Sequence, residues 1–378
     1  MKKKSIFLNL FIINYLLFSS VNCSFQVSFF NEINKSKKGE NLIISPLSIF
    51  QIPSLTTNGA RGITQLEMIE ALRNTDIETL NSINYKILEA FKEFKTVEIA
   101  NAVMSKFTPL QEFMKISEKY YAPFEKLISA NQVNNWCSEK THGKITKIID
   151  KLDSLTKMIL LNAVYFKGKW LIEFKKSSTQ KKAFYNLGTE IKQVDTMSQM
   201  SKFKYYQDSK IQVVQLPYKD DDMSAIIILP RKNIDINEYI TSLNSEENSI
   251  NELIKKLRNC KVYLELPKFE LEFYSSLKGV LGNMGMKKAF SNNAELTGLR
   301  KENDLKVDDV LHKTYLKVDE FGTEAAAVTI VTNKSLWCKP KTEIVYPMKV
   351  NRPFLFLLRS SKLPTNYNLL FMSKIEKL

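Results

Sequence analysis

The stretch Glu320-Phe-Gly-Thr-Glu-Ala-Ala-Ala-Val-Thr-Ile-Val331 decides how the rest of this sequence is interpreted. Its alanines and glutamates favour helix, whereas its Val-Thr-Ile-Val run favours strand. Successive side chains of a strand point to opposite faces. One face would then carry only small or β-branched uncharged side chains: Thr323, Ala325, Ala327, Thr329 and Val331. Such a segment can enter a narrow slot in a sheet, although the lysine-containing continuation to Trp337 is unusual for a permanently buried strand.

The composition is that of an ordinary globular protein, with 44% hydrophobic and 25% charged residues in a chain of 378. This is too apolar for a disordered chain, and 11 Gly and 11 Pro are too few for a fibrous repeat. We find no Pro-, Gly- or Ser-rich linker and no internal repeat. The sequence therefore predicts a single large domain, residues 24–378.

The N-terminus has the pattern of a secretory signal peptide. Lys2-Lys3-Lys4 form a positive region, Ile6–Phe18 an apolar region, and Val21-Asn22-Cys23 precede a cleavage site before Ser24. The apolar run is too short for a comfortable membrane span and contains two asparagines. We therefore expect residues 1–23 to be removed and the mature protein to be secreted to the extracellular space, with no membrane anchor.

The mature chain is strongly basic. Its formal net charge falls from +15 to +12 when the three lysines of the signal are removed. The clusters are Lys35, Lys37 and Lys38; Lys175, Lys176, Lys181 and Lys182; and Lys255, Lys256, Arg258 and Lys261. They are either a solvated basic surface or an attraction to sulfated glycosaminoglycan. No nucleic-acid motif accompanies the charge, and we expect no nucleic-acid partner.

The cysteines and the glycosylation sequons say less about function than the charge does. The mature chain keeps Cys137, Cys260 and Cys338, an odd number whose wide spacing fits neither a zinc site nor a disulfide scaffold. N-x-S/T sequons make Asn34 and Asn333 candidate glycosylation sites.

The hydrophobic pattern predicts helices early in the chain and antiparallel strands later, which is the α+β class. A helix is predicted from Ser45-Pro46 towards Asn58, shortened or kinked by an internal proline, and another from a capping box at Thr64–Glu67. Further predictions are a helix over Val133–Leu152, a buried strand over Met158–Phe166 and one long strand over Lys261–Phe273.

The motifs of enzyme active sites are absent. The sequence has only two histidines, no G-x-S-x-G elbow and no glycine-rich nucleotide loop. It also has no H-E-x-x-H motif and no Cys/His cluster that would bind a metal. We therefore expect neither enzymatic activity nor a cofactor.

Six motifs, in order and at the expected rough spacing, resemble those of the serpin family. They are Asn41-Leu-Ile-Ile-Ser-Pro-Leu-Ser-Ile49 with Gly59-Ala-Arg-Gly-Ile-Thr64; Val133-Asn-Asn-Trp136 with Thr141-His-Gly-Lys-Ile145; Leu161-Asn-Ala-Val-Tyr-Phe-Lys-Gly-Lys-Trp170; Leu266-Pro-Lys-Phe269; Val318-Asp-Glu-Phe-Gly-Thr-Glu-Ala-Ala-Ala327; and Asn351-Arg-Pro-Phe-Leu355. The resemblance covers essentially all of the mature chain. It implies three sheets (A, B and C), about nine helices and an exposed reactive-centre loop over about 320–343.

The resemblance also implies the roles of particular residues. Ser45, Ser48, Asn162 and His312 correspond to the shutter, a polar cluster beneath the place where the central strands of sheet A part. Trp170, Lys268 and Glu320 correspond to the breach, at the top of that sheet where the loop first enters. The hinge of the loop is Glu320, Gly322, Thr323, Glu324, Ala325, Ala326 and Ala327.

The hinge is that of an inhibitory member. In such serpins a protease cleaves the loop and forms an acyl-enzyme, and the loop then inserts into sheet A and carries the protease with it. Strand insertion requires an uncharged inward face, and from Thr323 to Ser335 the sequence has no proline and no charge on that face. We therefore expect a monomeric inhibitor that forms a covalent complex with a serine protease. The alternative is a non-inhibitory serpin that acts as a carrier or interaction protein.

The position of the scissile bond follows from the family's spacing. Sixteen residues after the hinge glutamate lies Leu336–Trp337, and an apolar leucine suits a chymotrypsin-like target. The distance back from Pro353 indicates Lys341–Thr342 instead, because the downstream half of the loop is long. A trypsin-like protease and a papain-like cysteine protease stay as alternative targets.

Overall fold

The computed structural model describes residues 24–94, 96–220, 222–245, 249–323 and 344–378. Within these residues there are nine α-helices and sixteen strands. The helices are α1 (Phe25–Lys35), α2 (Pro46–Thr57), α3 (Gly62–Ala71), α4 (Ile77–Lys92), α5 (Gln111–Lys119), α6 (Ala130–Lys140), α7 (Ile236–Ser242), α8 (Ile250–Lys256) and α9 (Lys278–Asn283). The first eight strands are β1 (Leu42–Ile44), β2 (Val97–Ser105), β3 (Phe124–Lys126), β4 (Met158–Phe166), β5 (Gly168–Lys169), β6 (Gln180–Asn186), β7 (Glu190–Gln207) and β8 (Ile211–Pro217). The others are β9 (Met223–Pro230), β10 (Arg258–Pro267), β11 (Phe269–Ser276), β12 (Asp309–Asp319), β13 (Gly322–Thr323), β14 (Val345–Lys349), β15 (Phe354–Ser360) and β16 (Leu369–Ile375).

The described strands form two hydrogen-bonded sheets. One has seven strands in the order β3-β2-β4-β12-β13-β5, with β11 also on β12, and we call it the central sheet. The other has nine strands in the order β1-β16-β15-β9-β8-β7-β10-β14, with β6 also on β7. The α+β class is confirmed. Of the three sheets expected, two share the 18-residue strand β7. Residues 190–196 of β7 pair with β6, residues 196–205 with β10 and residues 204–207 with β8.

Two expected helix details are corrected by the structure. Helix α2 begins at Pro46 as expected and continues unbroken through Pro53 to Thr57. Helix α3 begins at Gly62 rather than at a capping box on Thr64. The Thr64 hydroxyl instead accepts a hydrogen bond from the backbone N–H of Glu295 at 2.9 Å, so a tertiary contact uses the group that a cap would need.

Two longer predictions are wrong in extent. Helix α6 ends at Lys140, not at Leu152, because His142 and Gly143 both adopt positive φ. The segment after α6 folds back on it, and the Asn134 side-chain oxygen accepts the amides of Ile148 and Ile149. The predicted strand Lys261–Phe273 is divided at Lys268 into β10 and β11, which belong to different sheets.

The hydrophobic core has two parts. The larger cluster lies among the two sheets and most of the helices, and it includes most of the buried side chains of β9, β15 and β16. The smaller cluster lies between α6 and the central sheet and includes Trp136, Ile145, Leu161 and Leu311. Strand β4 is buried along its full length, as its nearly unbroken apolar sequence predicted, because helices or sheets cover both of its faces.

Candidate functional site

The central sheet is only partly closed between its two middle strands. Strands β4 and β12 run parallel and pair from Ile159↔Asp309 to Val164↔Thr314. Beyond that point their pairing stops, and the end of β12 pairs instead with the two-residue strand β13. Strand β13 in turn pairs antiparallel with β5, which follows β4 in the chain. The hinge sequence therefore already begins a new strand at the top of this opening.

Gly322 fits this position for steric reasons. Its φ is +149°, a conformation that L-residues rarely adopt. A Cβ atom at this residue would lie 2.0 Å from the backbone oxygen of Gly168 on the neighbouring strand. Only glycine therefore allows the chain to turn from β12 into β13 in such close contact with β5.

Thr323, the second residue of β13, is fully buried and held by a tyrosine. Its Oγ1 lies 2.8 Å from the hydroxyl oxygen of Tyr218. The Tyr218 ring stacks on Trp170 with centroids 4.4 Å apart, and burial raises the pKa of Tyr218 far above its usual value, so the phenol stays neutral. No sequence motif marks Tyr218. In the sequence, Tyr218 is a tyrosine that directly follows an apolar strand, and many core residues show the same pattern.

The predicted breach residues come together beside β13. Glu320 is buried, with an oxygen 2.9 Å from Lys268 Nζ, and it accepts a hydrogen bond of 2.7 Å from the Thr179 hydroxyl. Trp170 Nε1 donates to the backbone oxygen of Asp319 at 2.9 Å. Burial alone would raise the pKa of the Glu320 carboxyl, but the bonds from Lys268 and Thr179 outweigh it and hold this pKa below its usual range.

The segment between β5 and β6 holds the start of the hinge in place. The amide of Trp170 donates to the Phe321 oxygen at 3.0 Å, and the amide of Phe174 donates to the Glu320 oxygen at 2.9 Å. The Lys176 ammonium lies 4.8 Å from the centre of the Phe321 ring, a cation–π contact. The hinge is therefore anchored by main chain, side chain and ring contacts before it enters the sheet.

The predicted shutter residues also meet, where β4 and β12 are still paired. His312 Nε2 accepts the backbone N–H of Ser45 at 3.2 Å, so its proton lies on Nδ1, which donates to Asn162 Oδ1 at 2.8 Å. The Asn162 amide donates to the Ser48 hydroxyl. Complete burial lowers the pKa of His312 to about 3, and the imidazole is neutral at physiological pH.

Two further residues extend the shutter, and one predicted contact is missing. Asn162 Nδ2 also donates to Asn101 Oδ1 at 2.7 Å, and Asn101 Nδ2 donates to Gln51 Oε1 at 3.2 Å. Neither residue was predicted from the sequence. The hydroxyl of Ser45 is buried without a hydrogen-bond partner and does not cap α2, so only the backbone of Ser45 belongs to the network.

Other predicted site residues lie elsewhere. Asn34 is 3% exposed and its side-chain amide donates to Asn237 Oδ1 at 3.1 Å, an arrangement that disfavours a glycan on the folded protein. Glycosylation of Asn34 stays a prediction. The remaining hinge residues, both candidate scissile bonds and the second sequon fall outside the described residues: Glu324, Ala325, Ala326, Ala327, Leu336, Trp337, Lys341, Thr342 and Asn333, together with Cys338. The predictions made for them stay predictions.

The described part of the chain has no group of three or more His, Cys, Asp and Glu side chains that could hold a metal ion. None of its helices is long and apolar enough to cross a membrane.

Comparison with known proteins identifies the family. The family model described as "Serpin (serine protease inhibitor)" matches residues 20–378. Intracellular coagulation inhibitor 2 of Tachypleus tridentatus is 33% identical to this chain, and the match covers 90% of this chain and 86% of that inhibitor. Leukocyte elastase inhibitor of Xenopus tropicalis is also 33% identical, and the match covers 90% of this chain and 95% of that inhibitor.

Solved structures agree. Native tengpin, a thermophilic serpin, is 30% identical with a TM-score of 0.84, covering 94% of this chain and 92% of tengpin. A complex of thyroxine-binding globulin with thyroxine is 25% identical with a TM-score of 0.81, covering 95% of this chain and 98% of the globulin. The opened central sheet, the hinge at its top and these matches together show that the chain belongs to the serpin family of protease inhibitors and is not an enzyme.

Proposed function

We propose that this protein is a secreted suicide-substrate inhibitor of a chymotrypsin-like serine endopeptidase. The observation that carries the proposal is strand β13, in which Gly322 and Thr323 pair with β12 on one side and β5 on the other. These two residues run antiparallel to both neighbours. They are the first residues of the strand that a cleaved loop would add to the central sheet.

The register of β13 specifies how that strand would continue. Thr323 lies opposite Val318 and Gly168, so an extended antiparallel strand would place Ala325 between Leu316 and Phe166. Ala327 would follow between Thr314 and Val164, a pair that is now in direct contact. Small side chains at these positions let the sheet open and close again around the new strand with little steric cost.

The same register takes the strand through the shutter. Thr329 would lie between His312 and Asn162, whose side chains now bond to each other at 2.8 Å. Parting these strands breaks that bond and would leave two buried polar groups without partners, which costs about 1–3 kcal/mol for each group. A threonine hydroxyl can both donate and accept, so Thr329 can satisfy both groups.

The chemistry belongs to the protease. Its serine attacks the carbonyl carbon of Leu336, the Leu336–Trp337 peptide bond breaks, and the new amine leaves with Trp337. The ester between Leu336 and the serine remains. Insertion of the loop then moves the attached protease to the far end of the sheet and distorts its active site, so that water does not complete the cleavage.

The target class rests on sequence and on the names of relatives. An apolar leucine before the scissile bond suits an apolar specificity pocket, and a relative named Leukocyte elastase inhibitor supports a protease with such a pocket. Cleavage at Lys341–Thr342 would indicate a trypsin-like target, and a papain-like cysteine protease is the cross-class alternative. Secretion is inferred from the signal peptide at residues 1–23 alone. One relative, by contrast, is named as an intracellular inhibitor.

A non-inhibitory carrier is the second candidate. Thyroxine-binding globulin, solved with thyroxine, has the same fold at a TM-score of 0.81. A carrier needs no loop insertion, so its hinge could carry bulky or charged side chains. The uncharged, small inward face from Thr323 to Val331 favours the inhibitor.

The experiment is to incubate the mature chain, residues 24–378, with chymotrypsin. We expect a complex that survives denaturing electrophoresis and a released C-terminal fragment that mass spectrometry shows to begin at Trp337. A fragment that begins at Thr342 would show that the scissile bond is Lys341–Thr342. Cleavage without any stable complex would contradict inhibition of this enzyme class. Chymotrypsin with its active-site serine chemically blocked is the control and should give no complex.

A further inference from the structure

One edge of strand β7 lacks a partner strand over part of its length. Strand β6 pairs with residues 190–196 of β7 and β8 pairs with residues 204–207, both on the edge opposite to β10. Between these two stretches, residues 197–203 pair with no described strand other than β10. Since the backbone groups of a strand point to alternate edges, part of this stretch presents N–H and C=O groups to the open edge.

The chain that leads into β6 encloses a cleft beside this open edge. Residues 171–179 connect β5 to β6 and face the edge across a gap. The Ser198 hydroxyl donates to the backbone oxygen of Ser178 at 3.0 Å, and the Gln199 side-chain amide reaches the backbone oxygen of Ile172 at 3.4 Å. The space left between the two segments is a cleft of about 330 Å³, which lies in the size range of small-molecule sites. We call it the edge cleft, and its lining includes Ile172, Lys175, Ser178, Ser198, Met200 and Ser201.

Two apolar side chains form exposed walls of the edge cleft. Ile172 is 41% exposed on the connecting segment, and Met200 is 55% exposed on β7. Single exposed apolar side chains are ordinary on a protein surface. Here two of them line one concave space, and a ligand that covers them removes apolar surface from water. The edge cleft can therefore bind an apolar chain.

A lysine beside these walls supplies a positive charge that no described carboxylate neutralises. Lys175 lines the edge cleft and is exposed, and within the described ranges it forms no ion pair. Glu173, the acidic residue of the lining, is already bound to Lys219 at 2.8 Å, and its side chain is 9% exposed. The three serines of the lining add hydroxyl donors. An anion in the edge cleft would thus meet an ammonium group and hydroxyls, which give strong, charge-assisted hydrogen bonds.

We propose that the edge cleft binds a small amphipathic carboxylate of the medium-chain fatty acid class. The carboxylate would accept hydrogen bonds from Lys175 and the serine hydroxyls, and the alkyl chain would lie over Ile172 and Met200. The cleft is short because β6 and β8 join the edge at its two ends, so it suits a small ligand better than a long polymer. The proposal is independent of the inhibitory function.

The position of the edge cleft suggests the competing occupant. The same connecting segment holds the start of the hinge, since the amide of Phe174 donates to the backbone oxygen of Glu320. A protease that engages the reactive-centre loop would come close to this segment, and one of its apolar side chains could enter the cleft instead. The uncompensated charge of Lys175 beside the apolar walls favours the small anion, and the experiment separates the two occupants.

The test measures the binding of octanoate and of 1-octanol to the mature chain by isothermal titration calorimetry. The two probes have the same chain length and differ in charge. For a ligand of about ten heavy atoms we expect a Kd of octanoate on the order of 1 mM. Bound octanoate should also slow hydrogen exchange in the peptides that contain residues 171–179 and 198–201, which locates the site independently.

Two cleft variants and two matched controls assign the parts of the site. Lys175→Gln should weaken octanoate binding about fivefold or more and octanol binding by less than about twofold, because only octanoate carries a charge. Ile172→Thr combined with Met200→Gln should weaken the binding of both probes about fivefold or more. The controls change exposed residues on other surfaces and should stay within about twofold of wild type: Lys119→Gln, and Ile128→Thr combined with Leu155→Gln. Circular dichroism checks that all four variants are folded.

Three results would overturn the proposal. The first is that the cleft variants and their controls lose equal affinity, which would make the binding one of general surface adsorption. The second is that Lys175→Gln binds octanoate as tightly as the wild type, which would remove the carboxylate from the cleft. The third is that the wild type binds no octanoate while the Ile172 and Met200 variant associates more slowly with chymotrypsin, which would assign the cleft to the protease. Complex formation with chymotrypsin in the absence of octanoate tests the inhibitory function separately.

Discussion

The hydroxyl oxygen of Tyr218 lies 2.8 Å from Oγ1 of Thr323, and both side chains are buried. The bond joins the end of β8, in one sheet, to the first residues of the hinge, in the other. Tyr218 also stacks on Trp170, whose indole N–H holds the end of β12. The start of the hinge is thus fixed to the top of the central sheet by a defined set of contacts.

Removal of the Tyr218 hydroxyl should loosen this start. Tyr218→Phe keeps the ring and its stacking but leaves the buried Thr323 hydroxyl without a partner, which costs about 1–3 kcal/mol. We expect faster hydrogen exchange in the peptide that contains Gly322 and Thr323, and a lower melting temperature. Tyr274→Phe, at a 46% exposed tyrosine, is the control and should change neither. Equal exchange in the two variants would show that the bond is not formed in solution.

A charge on the inward face of the hinge should convert the inhibitor into a substrate. Thr323 is already fully buried in β13, so Thr323→Arg would either bury an unpaired charge there or expel β13 from the sheet. Either effect would cost several kcal/mol at the point where insertion starts and would slow that step. We expect cleavage by chymotrypsin with little stable complex. Glu324→Arg changes the next residue, which alternates to the opposite face of a strand, and should still form the complex. Undiminished complex formation by Thr323→Arg would refute the insertion mechanism.

The two shutter serines should respond differently to truncation. Ser48 accepts a hydrogen bond from Asn162, so Ser48→Ala leaves a buried amide short of a partner and should lower the free energy of unfolding by about 1–2 kcal/mol. The Ser45 hydroxyl is buried with no partner, so Ser45→Ala should be neutral or slightly stabilising. Denaturant titration of the two variants measures the difference. A larger loss for Ser45→Ala would contradict the hydrogen-bond network described above.

His312 should make the protein less stable in acid. Its pKa is about 3 in the folded protein, lowered by burial from the ordinary 6.5, so the unfolded chain binds a proton that the native state does not. Its contribution to stability is complete above about pH 6.5 and is lost as the pH falls towards 3, by about 2 kcal/mol between pH 7.5 and pH 5.

The variant His312→Gln isolates this contribution. It removes the titrating group while every other ionisable side chain is kept. Its free energy of unfolding should therefore fall less steeply over the same pH range. Parallel pH profiles for the variant and the wild type would show that His312 titrates normally in the folded protein.

The fold and the main site residues could be predicted where a local motif fixes their position. Trp170, Lys268 and Glu320 stand in recognisable motifs, and the structure brings all three to the top of the central sheet. The same holds for Ser48, Asn162 and His312 in the shutter. The prediction of a capping box at Thr64 was wrong because the Thr64 hydroxyl accepts a hydrogen bond from the backbone of Glu295, a contact that no local pattern encodes.

Residues that act through long-range contacts could not be predicted in this way. Tyr218 is one of 15 tyrosines, and only the approach of β8 to the hinge distinguishes it. Asn101 of β2 joins the shutter through its bond to Asn162, and Gln51 of α2 joins it through a bond to Asn101. The register of β7 and β10 likewise places Lys202 opposite Lys261, two residues 59 positions apart in the sequence. Such pairings follow from topology and not from composition.

The most direct test of the account is the melting temperature before and after cleavage of the reactive-centre loop. If the cleaved loop enters the central sheet between β4 and β12, it adds a full central strand and its buried side chains. We then expect the melting temperature of the cleaved protein to rise by at least about 10 °C, since even a few kcal/mol shift this temperature by several degrees in a chain of this size. An unchanged or lower melting temperature after cleavage would contradict loop insertion and, with it, inhibition by this mechanism.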